Sequence, residues 1–185
     1  MACSPTKGRL IPCSKAVGGI TALYFVDYGT LSTTFDSTKT NVIEDLGAIT
    51  AYKYDIKSAS NLVQTMTASA ANGTTFVDQA ITAILQVMTY SDNAELLLLG
   101  YGRPHVVVHY NTGEAVVVGL EFGASLETAV ADSGTAMGDL QGYTLTINGQ
   151  ERKLANYLEG ATVANPFAGL TTAPTVVVGT ETPAP

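Results

Sequence analysis

The stretch from Asn61 to Gly100 restricts the possible folds more than any other part of the chain. Leu62 to Ser69 is a run of apolar and Thr residues, Asn72-Gly73 is a turn signal, and Thr74 to Thr89 is a second, longer strand-like run. Asn-Gly favours a hairpin because both residues tolerate the positive φ of a tight turn. In the second arm Ile81, Ala83, Leu85 and Val87 fall on one face, and Ala80, Thr82, Ile84 and Gln86 on the other. The first face is a core face, and the second is mixed, as for a sheet that meets another subunit or lines a channel. Val77 to Met88 also fits a helix, since a short apolar run is not settled by period alone. Its β-branched content and the preceding turn favour a strand. Asp92 with Glu95 three residues on then predicts the start of a short helix, Asn93 to Leu99, that Gly100 closes. Leu96 to Leu99 is apolar nearly all round, which calls for burial against a sheet or a neighbour.

Around this stretch the chain alternates strand-like runs with loops. Met1 to Gly19 reads as an irregular arm, and Ile20 to Tyr28 (ITALYFVDY) as a strand. Gly29 to Asp45, rich in Thr and Ser, reads as a long loop. Ala48 to Lys57 is again strand-like, with Tyr52, Tyr54 and Ile56 on one face. His105 to Tyr110 and Glu114 to Phe122 flank Asn111-Thr112-Gly113 and predict a second hairpin. Gly123 to Leu140 reads as an acidic, small-residue segment that covers a surface or reaches a neighbour. Tyr143 to Ile147 (YTLTI) predicts a strand ended by a turn at Asn148-Gly149. Leu154 to Leu158 is a short helical turn or strand, and Val176 to Val178 a possible added strand. The expected organisation is an arm over 1–19, a β domain over 20–160 and an extension over 161–185.

Charge and motifs narrow the function. Only 14% of residues are charged and the net charge is −7, against roughly 25% charged in ordinary soluble domains; the shortfall points to surfaces covered by other copies. From Ser58 through Gln150 the only cation is Arg103, against eight acids. A basic footprint for phosphate binding is therefore missing from the middle of the chain. The cations gather early, at Lys7, Arg9, Lys15, Lys39, Lys53 and Lys57, and at Arg152-Lys153.

Cys3 and Cys13 are too few for a metal cluster or a disulfide framework. They could pair across a short loop, or remain thiols in a reducing cytoplasm. Pro5, Lys7, Gly8 and Arg9 interrupt any signal-peptide core, and Leu96 to Leu99 is too short to span a bilayer. His105 and His109, the only two histidines, share a strand face about 13 Å apart, too far to chelate one ion directly. Neither Gly-x-Ser-x-Gly nor a phosphate-binding Gly-rich loop occurs. Possible carboxylate pairs, such as Glu114 with Glu121 or Asp132 with Asp139, match solvated surface acids as readily as a catalytic dyad. No enzymatic activity and no cofactor are expected.

The order of elements, together with Gly134 to Glu151 (GTAMGDLQGYTLTINGQE), resembles the tail tube proteins of long-tailed bacteriophages over residues 18 to 158. The resemblance implies a mainly β fold, a sandwich with two hairpins and one short flanking helix. It also implies a hexameric ring whose hairpin sheets close into an inner β-barrel, with rings stacked into the channel for genome delivery. On that reading Asp78, Glu114 and Glu121 are candidates to face the lumen, where carboxylates would repel passing phosphates. Ile84, Leu97, Asp132 and Asp139 are candidates for subunit interfaces. The partners would be further copies, other tail proteins and DNA in transit, bound without specificity. The place would be the virion, after assembly in the host cytoplasm. Two other readings stay open: a head-closure, tail-terminator or capsid-decoration protein, and a β-sandwich binding or adhesive module.

Overall fold

A computed structural model describes residues 8–9, 17–57 and 59–179. The expectations for Cys3 and Cys13, and for most of the arm, lie outside these. In chain order the elements are β1 (Ile20–Val26), β2 (Thr34–Phe35), β3 (Val42–Asp45), β4 (Thr50–Asp55), β5 (Asn61–Ser69) and β6 (Thr74–Gln86). The helix α1 (Tyr90–Tyr101) follows, then β7 (His105–Tyr110), β8 (Ala115–Val118), β9 (Ser125–Asp132), β10 (Gly142–Glu151), β11 (Asn156–Leu158) and β12 (Thr175–Val178). The protein is mainly β, as its sequence predicts, with one helix and two sheets among the described residues. The larger sheet has the order β12-β4-β1-β7-β8-β11-β3-β2, and the smaller β5-β6-β10-β9.

The smaller sheet is built on the stretch that dominates the sequence. β6 alternates as its residues require: Val77, Gln79, Ile81 and Ala83 are buried, while Asp78, Ala80, Thr82 and Ile84 face the other way. β5 pairs with it antiparallel from Asn61 opposite Thr82 to Ser69 opposite Thr74. The connection is a four-residue loop, Ala70 to Gly73, in which Gly73 (φ 64) takes the left-handed conformation and Asn72 does not. The Asn-Gly signal thus marks the right place but a looser turn. On its other side β6 pairs with β10 over ten residues. The predicted turn at Asn148-Gly149 is not one: both residues continue the strand, opposite Ala80 and Gln79. The Gly119–Gly123 turn packs over Gly149, where a Cβ would sit in ordinary contact with it at 3.4–3.6 Å.

One buried cluster joins the two sheets. Leu23, Phe25, Val106, Val108, Val116 and Val118 come from the larger sheet, and Ile81, Ala83, Tyr143, Leu145 and Ile147 from the smaller. Buried Gln79 fastens this layer, donating to the Lys153 carbonyl (3.0 Å) and accepting from the Gly119 N–H (3.1 Å). β7 and β8 are buried on both faces, consistent with their Val-rich runs. The second face of the larger sheet holds Ala22, Tyr24 and Val26 of β1, Val107 of β7 and Val117 of β8 in one cluster with Ile43, Leu46, Phe167 and Leu170. Phe167 and Leu170 therefore contribute core, and β12 adds a parallel strand beside β4.

Further expectations are corrected. The predicted second hairpin, β7–β8, lies in the larger sheet; β6 is joined instead by β10, which pairs in turn with β9. The acidic segment Gly123 to Leu140 contains a full eight-residue strand, β9, and the predicted loop Gly29 to Asp45 contains β2 and β3. The helix begins earlier than Asp92, with Thr89 as its N-cap, its hydroxyl accepting from the Asp92 N–H (3.2 Å). It ends at Tyr101 rather than Gly100, and Leu96 alone is buried while Leu97 and Leu98 are exposed. Tyr143 anchors the helix start, donating its hydroxyl to Asn93 Oδ1 (2.7 Å). No helix of the described residues is long and apolar enough to cross a membrane.

Candidate assembly surface

The face of the four-stranded sheet turned away from the core carries few charges and much threonine. The register places Thr65 and Thr67 of β5, Thr82 of β6, Thr144 and Thr146 of β10, and Thr128 of β9 on it. None of the four strands contains Lys or Arg. Its acids are Asp78 on β6, Glu127 at a bulge in β9 and Asp132 at the end of β9. Two are tied to neighbouring amides: Gln150 Nε2 donates to Asp78 (2.9 Å) and Asn148 Nδ2 to Glu127 (3.1 Å).

Among the described residues nothing pairs with either edge of this sheet. β5 is exposed on both faces over Thr65 to Ala68, and β9 over Glu127 to Asp132. An eight-residue strand presents about 27 Å of unpaired backbone groups, a length that monomeric proteins usually cover or interrupt.

The predicted site residues fall in different places. Asp78 lies on the outer face. Glu114 is in the β7–β8 turn, where its carbonyl accepts from the Tyr110 N–H, and Glu121 is in the β8–β9 connection, 3.7 Å from Arg152. Neither belongs to the four-stranded sheet. Ile84 is half-buried on the outer face of β6, opposite Thr144 and away from both edges. Leu97 is exposed on α1. Asp132 and Asp139 bracket the β9–β10 loop and order it. Asp132 accepts from the Gly134 N–H, and Asp139 from the amides of Thr135 and Ala136, which hold its carboxyl below the ordinary carboxylate range. Glu127 is the functional candidate that sequence reasoning missed. The unbroken lack of cations from Ser125 to Gln150 was the signal for it.

The histidines tie loops to the larger sheet. His105 accepts from the Gly29 N–H at Nε2 (3.1 Å), so its Nδ1 carries the proton and donates to the Gly119 carbonyl (2.6 Å). His109 Nε2 bonds the Thr162 carbonyl (2.9 Å). Burial holds both below the ordinary 6.5. A histidine depressed in the folded state takes up its proton on unfolding, so stability is full above 6.5 and is lost as pH falls from there. Glu151 acts oppositely: it is buried at the end of β10, accepts from the Glu121 and Phe122 amides, and burial raises it above 4.5. In Glu151→Gln protein, which lacks that opposing contribution, the urea midpoint is expected to fall steadily below pH 6.5. A midpoint unchanged down to pH 5 would show that the buried imidazoles do not set acid stability.

Comparison with protein-family models, with curated proteins and with solved structures finds no match for this chain.

Proposed function

We propose that this chain is a structural subunit of a bacteriophage tail tube. Copies join edge to edge through the four-stranded sheet, close into rings and stack into a channel for genome delivery. One observation carries the reading: the smaller sheet is antiparallel throughout, and its two long edges, β5 and β9, run in opposite directions and are unpaired among the described residues. The β9 edge of one copy can therefore pair antiparallel with the β5 edge of the next. Repeated around a ring, this forms a barrel with no exposed edge. The outer face of the sheet becomes the lumen. Asp78, Glu127 and Asp132 line it with negative charge, and threonine with Val63, Ala80, Ile84 and Val130 supplies a neutral remainder, a surface to which a polyanion does not adhere.

The role is mechanical, with further copies and other tail proteins as partners and DNA as passing cargo. Its place is the virion, after assembly in the host cytoplasm. Negative-stain microscopy with sedimentation velocity tests the reading over a range of protein concentration. Rings with a central pore, extending into tubes, are the expected result, and monomers at every concentration would overturn it. Assembly that always stops at one ring would instead favour a terminator or head-closure role.

A further inference from the structure

A cleft of about 630 Å³ lies at one end of the four-stranded sheet, bordered by Phe76, Arg103, Phe122, Asn148 and Arg152. It sits where β6 begins, β9 begins and β10 ends. Arg103 and Arg152 are the only arginines after Arg9, and both border it. Arg152 stands over the Phe122 ring (5.5 Å) with Glu121 3.7 Å away. Arg103 stands over Tyr28 (5.5 Å), and no carboxylate among the described residues reaches ion-pairing distance of it. The acids of the cleft are already engaged, Glu127 with the Asn148 amide and Glu151 with two backbone N–H groups. The cleft therefore offers a cation, Arg103, that no acid among the described residues holds, and it calls for an acid from outside.

At the opposite end of the same strands is the β9–β10 loop, Ser133 to Gln141. β10 is ten residues long, which puts the two features about 30 Å apart along the strands. The loop has no cation, is bracketed by Asp132 and Asp139, and leaves Met137 fully exposed at its tip.

We propose that this loop of one copy seats in the arginine cleft of a second copy lying end to end with it. Met137 then packs between Phe76 and Phe122, a favourable sulfur–aromatic contact. Asp139 of the loop faces Arg103. Because donor and receptor lie at opposite ends of the strands, the contact repeats without closing, and so joins one ring to the next. The inference rests on the tube reading and adds the residues that stack the rings.

The test uses full-length protein with a photo-reactive benzoyl-phenylalanine at position 137, beside the variants Met137→Asp and Arg103→Glu. Both substituted positions lie outside the core, so the variants retain the fold. The expected result is a cross-link between copies from position 137 to a peptide containing Phe122 or Arg152. Each variant should form rings as the unaltered protein does while losing tubes. Tubes of normal length from both variants, or cross-links only elsewhere, would overturn the stacking contact and leave the ring reading standing. Failure of the unaltered chain to form even rings would remove both.

Discussion

Protein carrying proline at both Ala129 and Val130 is expected to stay folded as a monomer and to form no rings. Consecutive residues of a strand direct their N–H groups alternately to either side, so one of these two points to β10 and the other to the free edge. Proline at both removes a donor on each side, whichever residue bonds which. The loss towards β10 is a local matter of ~1 kcal/mol per hydrogen bond, because β9 from Glu127 onward is exposed on both faces and contributes no buried side chain. The loss at the free edge is repeated at every junction of a ring, and a closed assembly with every junction weakened has no strong one to compensate. Circular dichroism should therefore show a β spectrum and a cooperative melt close to those of the unaltered protein, while light scattering shows monomer alone. Rings from the proline protein would eliminate β9 as the joining edge.

Gly142→Ala should be the most damaging single methyl in the small sheet. Gly142 opens β10 and faces Gln86 and Asp132 on its two neighbours. A Cβ built there falls on the Leu85 carbonyl oxygen and close to Gln86 Cα (3.2 Å). Those are backbone atoms of a paired strand, so neither can rotate away as a side chain would. Relief requires β6 and β10 to separate at the point where Tyr143, buried just inside, anchors α1. Overpacking typically costs 1–3 kcal/mol, and backbone against backbone lies at about 3 kcal/mol or beyond. That is a large part of the 5–15 kcal/mol that holds an ordinary domain together. Gly138→Ala is the matched control, since a Cβ there meets nothing within 4 Å. Chemical denaturation of the pair should separate them clearly, and equal midpoints would mean that the strands yield at Gly142 without cost.

Strands with one buried and one open face were legible in the residues. The β5–β6 hairpin, the faces of β6 and the strand at Tyr143–Ile147 follow from alternation and turn chemistry, and β1 and β7 from β-branched density. β9 was not legible for a physical reason. Its sequence, SLETAVAD, is made of small and acidic residues because both of its faces are open, so no periodic pattern is imposed on it. It is a strand only because β10 lies beside it. The same holds for β2 and β3, whose pairing comes from each other and from β11, distant in the chain. Asn148-Gly149 misled in the opposite direction. The dipeptide that normally turns a chain is held extended here by ladder pairing, Asn148 lying opposite Ala80 on one side and Ser125 on the other. Asp78 and Glu121 look alike in sequence, and strand pairing alone separates an acid on the small sheet from one in a connection.

The number of strands in the smaller sheet has a consequence of its own. With four antiparallel strands the first and last run in opposite directions, so neighbours related by simple rotation meet antiparallel and all copies point the same way. Three or five strands would have required a parallel seam or alternate copies turned upside down. An assembly closed through these edges is therefore polar: its two rims differ, one carrying arginine clefts and the other acidic loops. A tube grown from such rings has an inherent direction. Initiating and terminating components would each meet a different surface, without any subunit changing its shape.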